Sequence, residues 1–435
     1  MSRRSTRRGT DNTLSLHDVL INLDRQDQYV HMPVEHLSAQ EAAKRLGVSS
    51  ATLYAYVSRG KIDSRPGPDG RSREYRADDI ERLIERRQAG RGAAKGAAHS
   101  LTWGLPVLET RISLIRPHGH YYRGESAIAL ARDGASLEDV ARLLWGGDSD
   151  PFNATPARVW PAVVAMLCRR EEVPPMERTA SALPLLALSS PYTLSTDPLQ
   201  RRECAARLLR ETAALLCGTR PDRRPIHRLM AQTWKPGDEP LAELVRSALV
   251  LCADHELNAS AFATRVAAST GASLHASVSA GLAALSGPQH GGAAARAHAF
   301  IQQALRERRP GDHVRERLRR GDELPAFGHP LYPEGDPRAA LLLEMLSDVH
   351  PRLSGMARIR QLADAVHDSV GRQPALDFAL AAIATLHGLD ADVAISLFAA
   401  GRMAGWLAHA LEQQDYGGLI RPRANYAGQP PVRRD

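Results

Sequence analysis

Asp254 and His255 open the stretch DHELNASAFATRVAASTGASLHASVSAGLAALSGPQHGGA, and another histidine, His290, closes it at a Gly-Pro turn just before Gly291 and Gly292. A small-residue helix that delivers an imidazole to a glycine-lined bend suits a reaction site. A core helix with an incidental histidine is the alternative. Further along, Phe327-Gly328-His329-Pro330 sets a third histidine in a turn, and Asp336-Pro337-Arg338 follows. Asp377 heads an otherwise apolar helix, Arg402 interrupts the apolar run 395–406, and Arg421 and Arg423 stand in Ile-Arg-Pro-Arg near the C-terminus. Each has a packing explanation when taken alone. Asp377 suits a helix N-terminus, Arg402 a buried ion pair, and Gly-His-Pro a turn. His367, His387 and His409 lie on helices without comparable surroundings and are read as structural. No pair of histidines has a convincing metal spacing, and no GxGxxG or GxxxxGK[ST] phosphate loop is present. No metal and no permanently bound cofactor are expected.

The elements that must position these residues are helical. The chain has 435 residues, 43% of them hydrophobic and only 5% aromatic, with Ala and Leu dominant. That composition favours a mainly α fold over a β-sandwich. Between Leu101 and the C-terminus, amphipathic helical patterns alternate with Pro/Gly breaks, at 156–172, 176–192, 200–217 and 238–252 among others. Ser136 to Trp145 is a further helix that stops at Gly146-Gly147, and TRISLI begins a short strand pair closed at Arg116–Gly119. No apolar run reaches about 18 residues without a charge, so no membrane span is expected. The N-terminus is basic but has no apolar stretch behind it, so it is not read as a secretory signal. Cys168, Cys204, Cys217 and Cys252 lack CxxC pairing and sit in Ala/Leu-rich helices. Free buried thiols in a cytoplasmic protein are expected.

The net charge of +7 is concentrated at the start, where residues 1–100 hold 18 Lys and Arg against 13 Asp and Glu. A polyanion is therefore a candidate partner for that segment. Residues 1–36 read as a flexible basic tail. From Leu37 the pattern sharpens. Ser38 and Glu41 form a capping box, Gly47 makes the turn, and Ser49 caps a second helix. A Pro-Gly-Pro-Asp-Gly tip then marks a hairpin wing carrying Arg65, Arg71, Arg73 and Arg76. Residues 89–102 are Gly/Ala-rich and read as a linker. The segment 37–88 resembles the winged helix-turn-helix of the MerR and excisionase type. That resemblance implies that Ser50, Thr52 and Tyr54 face DNA and that Arg71 and Arg73 contact phosphates. A helical protein-interaction module is the alternative.

The rest of the chain, 103–435, resembles citrate synthase of the shorter bacterial and archaeal kind. The likeness rests on ordered text: YYRGESAIALA, LEDVARLLW, DHELNAS, GPQHGGA, FGHPLY, DPRA, LDFALA, AAGRMAGWLAHALEQ and IRPRANYAG. It implies a two-domain helical fold, with a small domain at about 281–383 inserted in a large one, and a homodimer. It also implies condensation of acetyl-CoA or propionyl-CoA with oxaloacetate, followed by thioester hydrolysis to citrate or 2-methylcitrate and CoA. On the matching positions, Asp377 is the base that removes the acyl α-proton. His290 donates a hydrogen bond to the thioester carbonyl, and His329 acts at the ketone. His255, Arg338, Arg402 and Arg421 hold oxaloacetate, Arg421 reaching in from the partner subunit. Such chemistry needs an electrophile on the carbonyl while the base works, and guanidiniums that stay charged and bind carboxylates bidentately.

The sequence departs from the family pattern at Ala326, where glycine is usual. It departs again at Pro330, Leu331 and Pro333, and at Ala293-Ala294-Ala295-Arg296 after the glycine pair. These differences leave acyl-CoA selectivity open. Two other readings stand beside the enzyme: a metabolite-sensing transcriptional regulator with a synthase-like ligand domain, and a lyase running the reverse reaction on the same residues.

Overall fold

A computed structural model describes residues 36–424 except 59–60, 68–71, 78, 81–82, 85–107, 118, 154–158 and 350–353, together with 428–429. The tail before residue 36, the linker at 89–102 and Arg71 lie outside the described residues. The chain divides into two compact units, Thr110–Ala424 and the remainder.

The N-terminal unit is built on β1 (His36–Ser38), α1 (Ala39–Leu46), α2 (Ser50–Ser58), β2 (Ser64–Pro66) and β3 (Arg73–Arg76). Ser38 caps α1 with the reciprocal Glu41 contact, and the left-handed Gly47 closes it. β2 and β3 form the expected hairpin, with Arg65 opposite Glu74. β1 adds a third antiparallel strand on the other side of β3, which was not foreseen. Leu37, Leu46, Leu53, Ile62, Tyr75 and Ile80 make a small core of their own.

The larger unit starts with a three-stranded antiparallel sheet, β4 (Ser113–Arg116), β5 (Gly119–Tyr122) and β6 (Glu125–Ser126). Arg116 pairs with Gly119 where the sequence placed the turn. Among the described residues fifteen helices follow: α3 (Ala127–Arg132), α4 (Leu137–Trp145), α5 (Ala162–Cys168), α6 (Pro175–Ala187), α7 (Pro198–Cys217), α8 (Ile226–Trp234), α9 (Glu239–Cys252), α10 (Ala259–Ala268), α11 (Leu274–Leu285), α12 (Gly292–Arg306), α13 (Pro310–Arg320), α14 (Pro337–Val349), α15 (Ser354–Val370), α16 (Leu376–Leu386) and α17 (Ala391–Tyr416). The expected helix at 156–172 is much shorter, because Pro161 fixes its start. The expected single run between Asp254 and His290 is two helices, α10 and α11, separated at residues 269–273.

α17 organises the core. It packs against α4, α7, α9, α10, α11, α12 and α16. By length and composition it is apolar enough to cross a membrane, but 94% of its most apolar window is buried inside the fold. Each fully buried Leu or Phe along it, such as Leu397 and Leu407, contributes about 1.5–3 kcal/mol. Against that apolar background the buried Arg402 and His409 need a separate account. All four cysteines are free, as expected.

Candidate active site

The turn after α9 carries Asp254 and His255. Asp254 is fully buried and accepts a hydrogen bond from the Ser113 hydroxyl of β4. The backbone N–H of Glu256 donates to the same carboxylate at 2.9 Å. His409 of α17 stands 3.2 Å from its other oxygen, at ion-pair distance without hydrogen-bond alignment. Burial works to raise the Asp254 carboxyl, but His409, Arg402 and Ser113 together hold it at about 2. Gly405 makes this approach possible, since a Cβ there would strike the Asp254 side chain. Glu256 takes a left-handed backbone, φ 54°, a strain of the kind found at functional turns. The turn therefore presents His255 from a fixed base, and His255 meets the Tyr332 hydroxyl through Nε2 at 3.1 Å. Burial, with Arg338 nearby, keeps its imidazole well below the ordinary range and neutral.

His290 leads into α12. Its Nε2 lies 2.9 Å from the Ser260 hydroxyl. Ser260 in turn sits 2.7 Å from Asn258 Oδ1, which also accepts the N-terminal amides of α10. The hydroxyl has one proton and two acceptors. Given to Asn258 Oδ1, the proton leaves the hydroxyl oxygen to accept from His290 Nε2–H; turned to His290 Nε2, it leaves the histidine's own proton on Nδ1. Burial, then the charge of Arg402, pushes His290 down to about 4, so the ring donates as a neutral imidazole. Phe398 of α17 packs edge-on against it at 6.1 Å, and the Arg402 guanidinium lies over the same phenyl ring at 4.7 Å.

His329 sits in a turn pinned to the approach of α16. Gly328 N–H donates to the Gln373 carbonyl at 2.8 Å, Ala375 N–H donates to Ala326 O at 2.9 Å, and Phe327 and Pro374 form the bridge between them. Ala326 adopts φ 64°, a left-handed conformation that favours glycine. The Leu331 N–H donates to His329 Nδ1 at 3.2 Å, which places the ring proton on Nε2. Burial and Arg338 push His329 down to about 4. His255 lies edge-on to it at 5.1 Å.

Asp377 occupies the first turn of α16 with Leu376 and Phe378 buried on either side. Burial pushes its carboxyl from 3.8 up to about 6, against the opposing pull of Arg338. The two arginines differ. Arg338 is 3% exposed and already grips Asp336 through Nε and Nη2 at 2.9 and 2.8 Å. Asp336 also accepts the Leu376 N–H at 3.2 Å, so one carboxylate holds both the guanidinium and the start of the Asp377 helix. Arg402 is 2% exposed, donates from Nε to the Cys252 carbonyl at 2.9 Å, and has no carboxylate within 4 Å among the described residues. Asp254 acts on this guanidinium only through space, and a buried guanidinium not in direct contact with a carboxylate suits an anionic ligand.

The two arginines link these groups electrostatically: Asp377 and His255 feel both, His329 feels Arg338, and His290 feels Arg402. Arg421 does not join them: it lies exposed on the segment after α17. In the N-terminal unit Ser50, Tyr54 and Arg73 are exposed, Tyr54 at 53%. Thr52 is half-buried with its hydroxyl 3.0 Å from Ser49 Oγ. The sequence gives no role to His120, on the inward face of β5 beside Tyr122, or to Tyr332, which joins two of the histidines; Ser260 contacts His290, and His409, read as structural, stands beside Asp254. The signal for Ser260 was present in its place within DHELNAS. A cavity of about 200 Å³ borders His329, Tyr332, Asp336 and Arg372. A larger one, about 720 Å³, opens around Trp160 and contains none of these groups.

A helical scaffold that converges neutral imidazoles, a raised carboxylate and buried guanidiniums is that of an enzyme acting on a small anionic substrate. The family profile for the citrate synthase C-terminal domain matches residues 100–423, and a helix-turn-helix domain profile matches 37–88. Citrate synthase 2 of Bacillus subtilis is 32% identical over 275 residues, covering 59% of this chain and 74% of its own. Citrate synthase of Haloferax volcanii is 31% identical over 360 residues, covering 75% and 94%. A 2-methylcitrate synthase of Shewanella oneidensis is 34% identical over 187 residues, covering 42% and 50%. Among solved structures, the ternary complex of Thermoplasma acidophilum citrate synthase with carboxymethyl coenzyme A and oxaloacetate superposes with a TM-score of 0.62 at 25% identity, covering 76% of this chain and 96% of that one. The Thermotoga maritima citrate synthase shares the fold, with a TM-score of 0.61 at 24% identity, covering 76% and 96%. The chain belongs to the citrate synthase family. It is a citrate synthase-type enzyme that carries a helix-turn-helix domain at its N-terminus.

Proposed function

We propose that the chain condenses acetyl-CoA or propionyl-CoA with oxaloacetate and hydrolyses the resulting thioester, giving citrate or 2-methylcitrate and free CoA. The observation that carries this reading is the ladder that pins the His329 turn to the start of the Asp377 helix, with that carboxylate raised to about 6 and the His290 and His329 imidazoles held neutral near 4. Asp377 takes the α-proton of the acyl group while His290 donates a hydrogen bond to the thioester oxygen, stabilising the enol. The enol carbon attacks the ketone carbon of oxaloacetate. His329 donates from Nε2 to the ketone oxygen, which becomes the hydroxyl of the product. Arg338, Arg402 and His255 hold the dicarboxylate, and water then cleaves the thioester and frees the CoA thiol. Closure of the small domain at 281–383 excludes water until condensation is complete. We further infer a homodimer in which Arg421 serves the partner subunit's site. The test follows the free thiol released from each acyl-CoA, with and without oxaloacetate. Oxaloacetate-dependent release is expected. Absence of release with both acyl-CoAs would refute the reading.

A second role is favoured by the exposed Ser50, Tyr54 and Arg73 on the capped helix and wing of the N-terminal unit. This unit binds duplex DNA, and the acyl-CoA domain links that binding to metabolite supply. Fluorescence anisotropy of the full chain with a labelled duplex should show binding that weakens as salt rises, and Arg73→Ala should reduce the salt slope by about 1. No binding at low salt would make the domain a protein-interaction module.

A further inference from the structure

His120 lies on β5 on the same face as Tyr122 and is 0% exposed. Its ring stands edge-on to Tyr122 at 4.8 Å and 71°, and to His255 at 5.3 Å and 81°. Among the described residues, neither of its ring nitrogens has a hydrogen-bond partner. Burial, then the charge of Arg338, pushes it down to about 3. The ring is therefore neutral at physiological pH, with one N–H to give and one lone pair to receive. Unpartnered polar atoms in a core weaken a fold. A phenylalanine would keep both ring contacts without that cost, so packing explains an aromatic ring here but not a histidine. The depth of the position is no obstacle to ligand contact, because Arg338 and Arg402 are buried almost as fully.

We propose that His120 is a binding residue for the anionic end of the 2-oxo acid, supplying a neutral hydrogen bond beside Arg338 and Arg402. The inference rests on the condensation reading above and deepens it. A 2-oxo acid that carries a second carboxylate satisfies the imidazole, whereas one with an apolar end leaves it unpaired and is rejected. His120 thereby joins the arginines in selecting a dicarboxylate.

The test compares His120→Phe, His120→Leu and His120→Gln in the full chain, using CoA release and direct calorimetric titration of oxaloacetate. The Phe and Leu variants should melt at higher temperature than the wild type, yet show a KM for oxaloacetate about 10-fold higher, with kcat changed by no more than about 2-fold. The Gln variant, which restores a donor and an acceptor, should return KM to within about 3-fold of wild type. An unchanged KM in the Phe variant, or in Leu should Phe not fold, overturns the assignment. So does a Gln variant as impaired as Phe. A wild-type chain that neither binds oxaloacetate nor turns over would instead overturn the condensation reading, so the two failures are distinguishable.

Discussion

Replacing Asp377 with Asn tests the base and the electrostatics that make it one. Burial lifts the carboxyl from 3.8 to about 6. At about 1.4 kcal/mol per pH unit, that rise corresponds to about 3 kcal/mol. The sign follows from proton linkage. Below pH 4 the folded and unfolded chains both hold the proton, so the site contributes no difference. Between pH 4 and 6 the unfolded chain releases it first and gains relative stability. Above pH 6 both are ionised, and the folded chain bears the full penalty. An amide cannot ionise, so Asp377→Asn should be more stable than wild type at pH 7.5 by up to about 3 kcal/mol, with the gap closing by pH 4. Turnover should fall at least ~10²-fold at the same time. In the wild type, kcat/KM should rise as pH passes through about 6 and level off above it. Urea unfolding at the two pH values, paired with thiol release, reads both effects. A stability difference that is the same at pH 4 and 7.5 would refute the burial argument, and a normal rate would remove Asp377 from the chemistry.

The two buried arginines should behave differently when truncated. Arg338→Met strands Asp336 and should destabilise the fold by about 3 kcal/mol, whereas Arg402→Met breaks no ion pair, removes only the longer-range pull on the buried Asp254, and should cost clearly less in urea unfolding. Arg402→Met should nevertheless raise KM for oxaloacetate by about 10²-fold, and an unaltered KM would exclude it as a substrate contact. Ala326→Gly relieves a left-handed backbone worth about 1–2 kcal/mol at some cost in chain entropy. A net gain of about 0.5–1 kcal/mol is expected, visible as a higher urea midpoint, and a loss of stability would show that the turn is unstrained. Mixing separately inactive Arg421→Ala and Asp377→Ala subunits should restore activity, since one site of each hybrid dimer would be complete. Continued inactivity in verified hybrid dimers would mean that Arg421 acts in its own subunit or not at all.

Much of the scaffold was legible because local signals and packing agree. Ser38 with Glu41 is a capping box in sequence and in structure, and the helix from Ser136 stops at Gly146 in both. The turn at Arg116–Gly119 joins the strands it was expected to join. What escaped were features decided by distant partners. β1 exists because β3 offers it an edge. The helix at 156–172 shrank because Pro161 fixes its start. Arg338 and Arg402 look alike in sequence, and only Asp336 distinguishes them. His409 resembled a helical histidine with nothing to do, but Asp254 stands 155 positions earlier in the chain and beside it in space. His120 falls within a strand pattern that gives no hint of what its ring faces.

The short ladder of Ala326, Phe327 and Gly328 against Gln373, Pro374 and Ala375 has a mechanical consequence. It mounts His329 and the entry to the Asp377 helix on one rigid piece, and Asp336 fastens the same piece from below. In the proposed condensation, Asp377 and His329 then move together as a caliper with fixed jaws, and the gap between proton acceptor and ketone-side donor would be built into the turn instead of being adjusted at each closure. A loop insertion between 326 and 328 would accordingly be felt at Asp377, which it never touches.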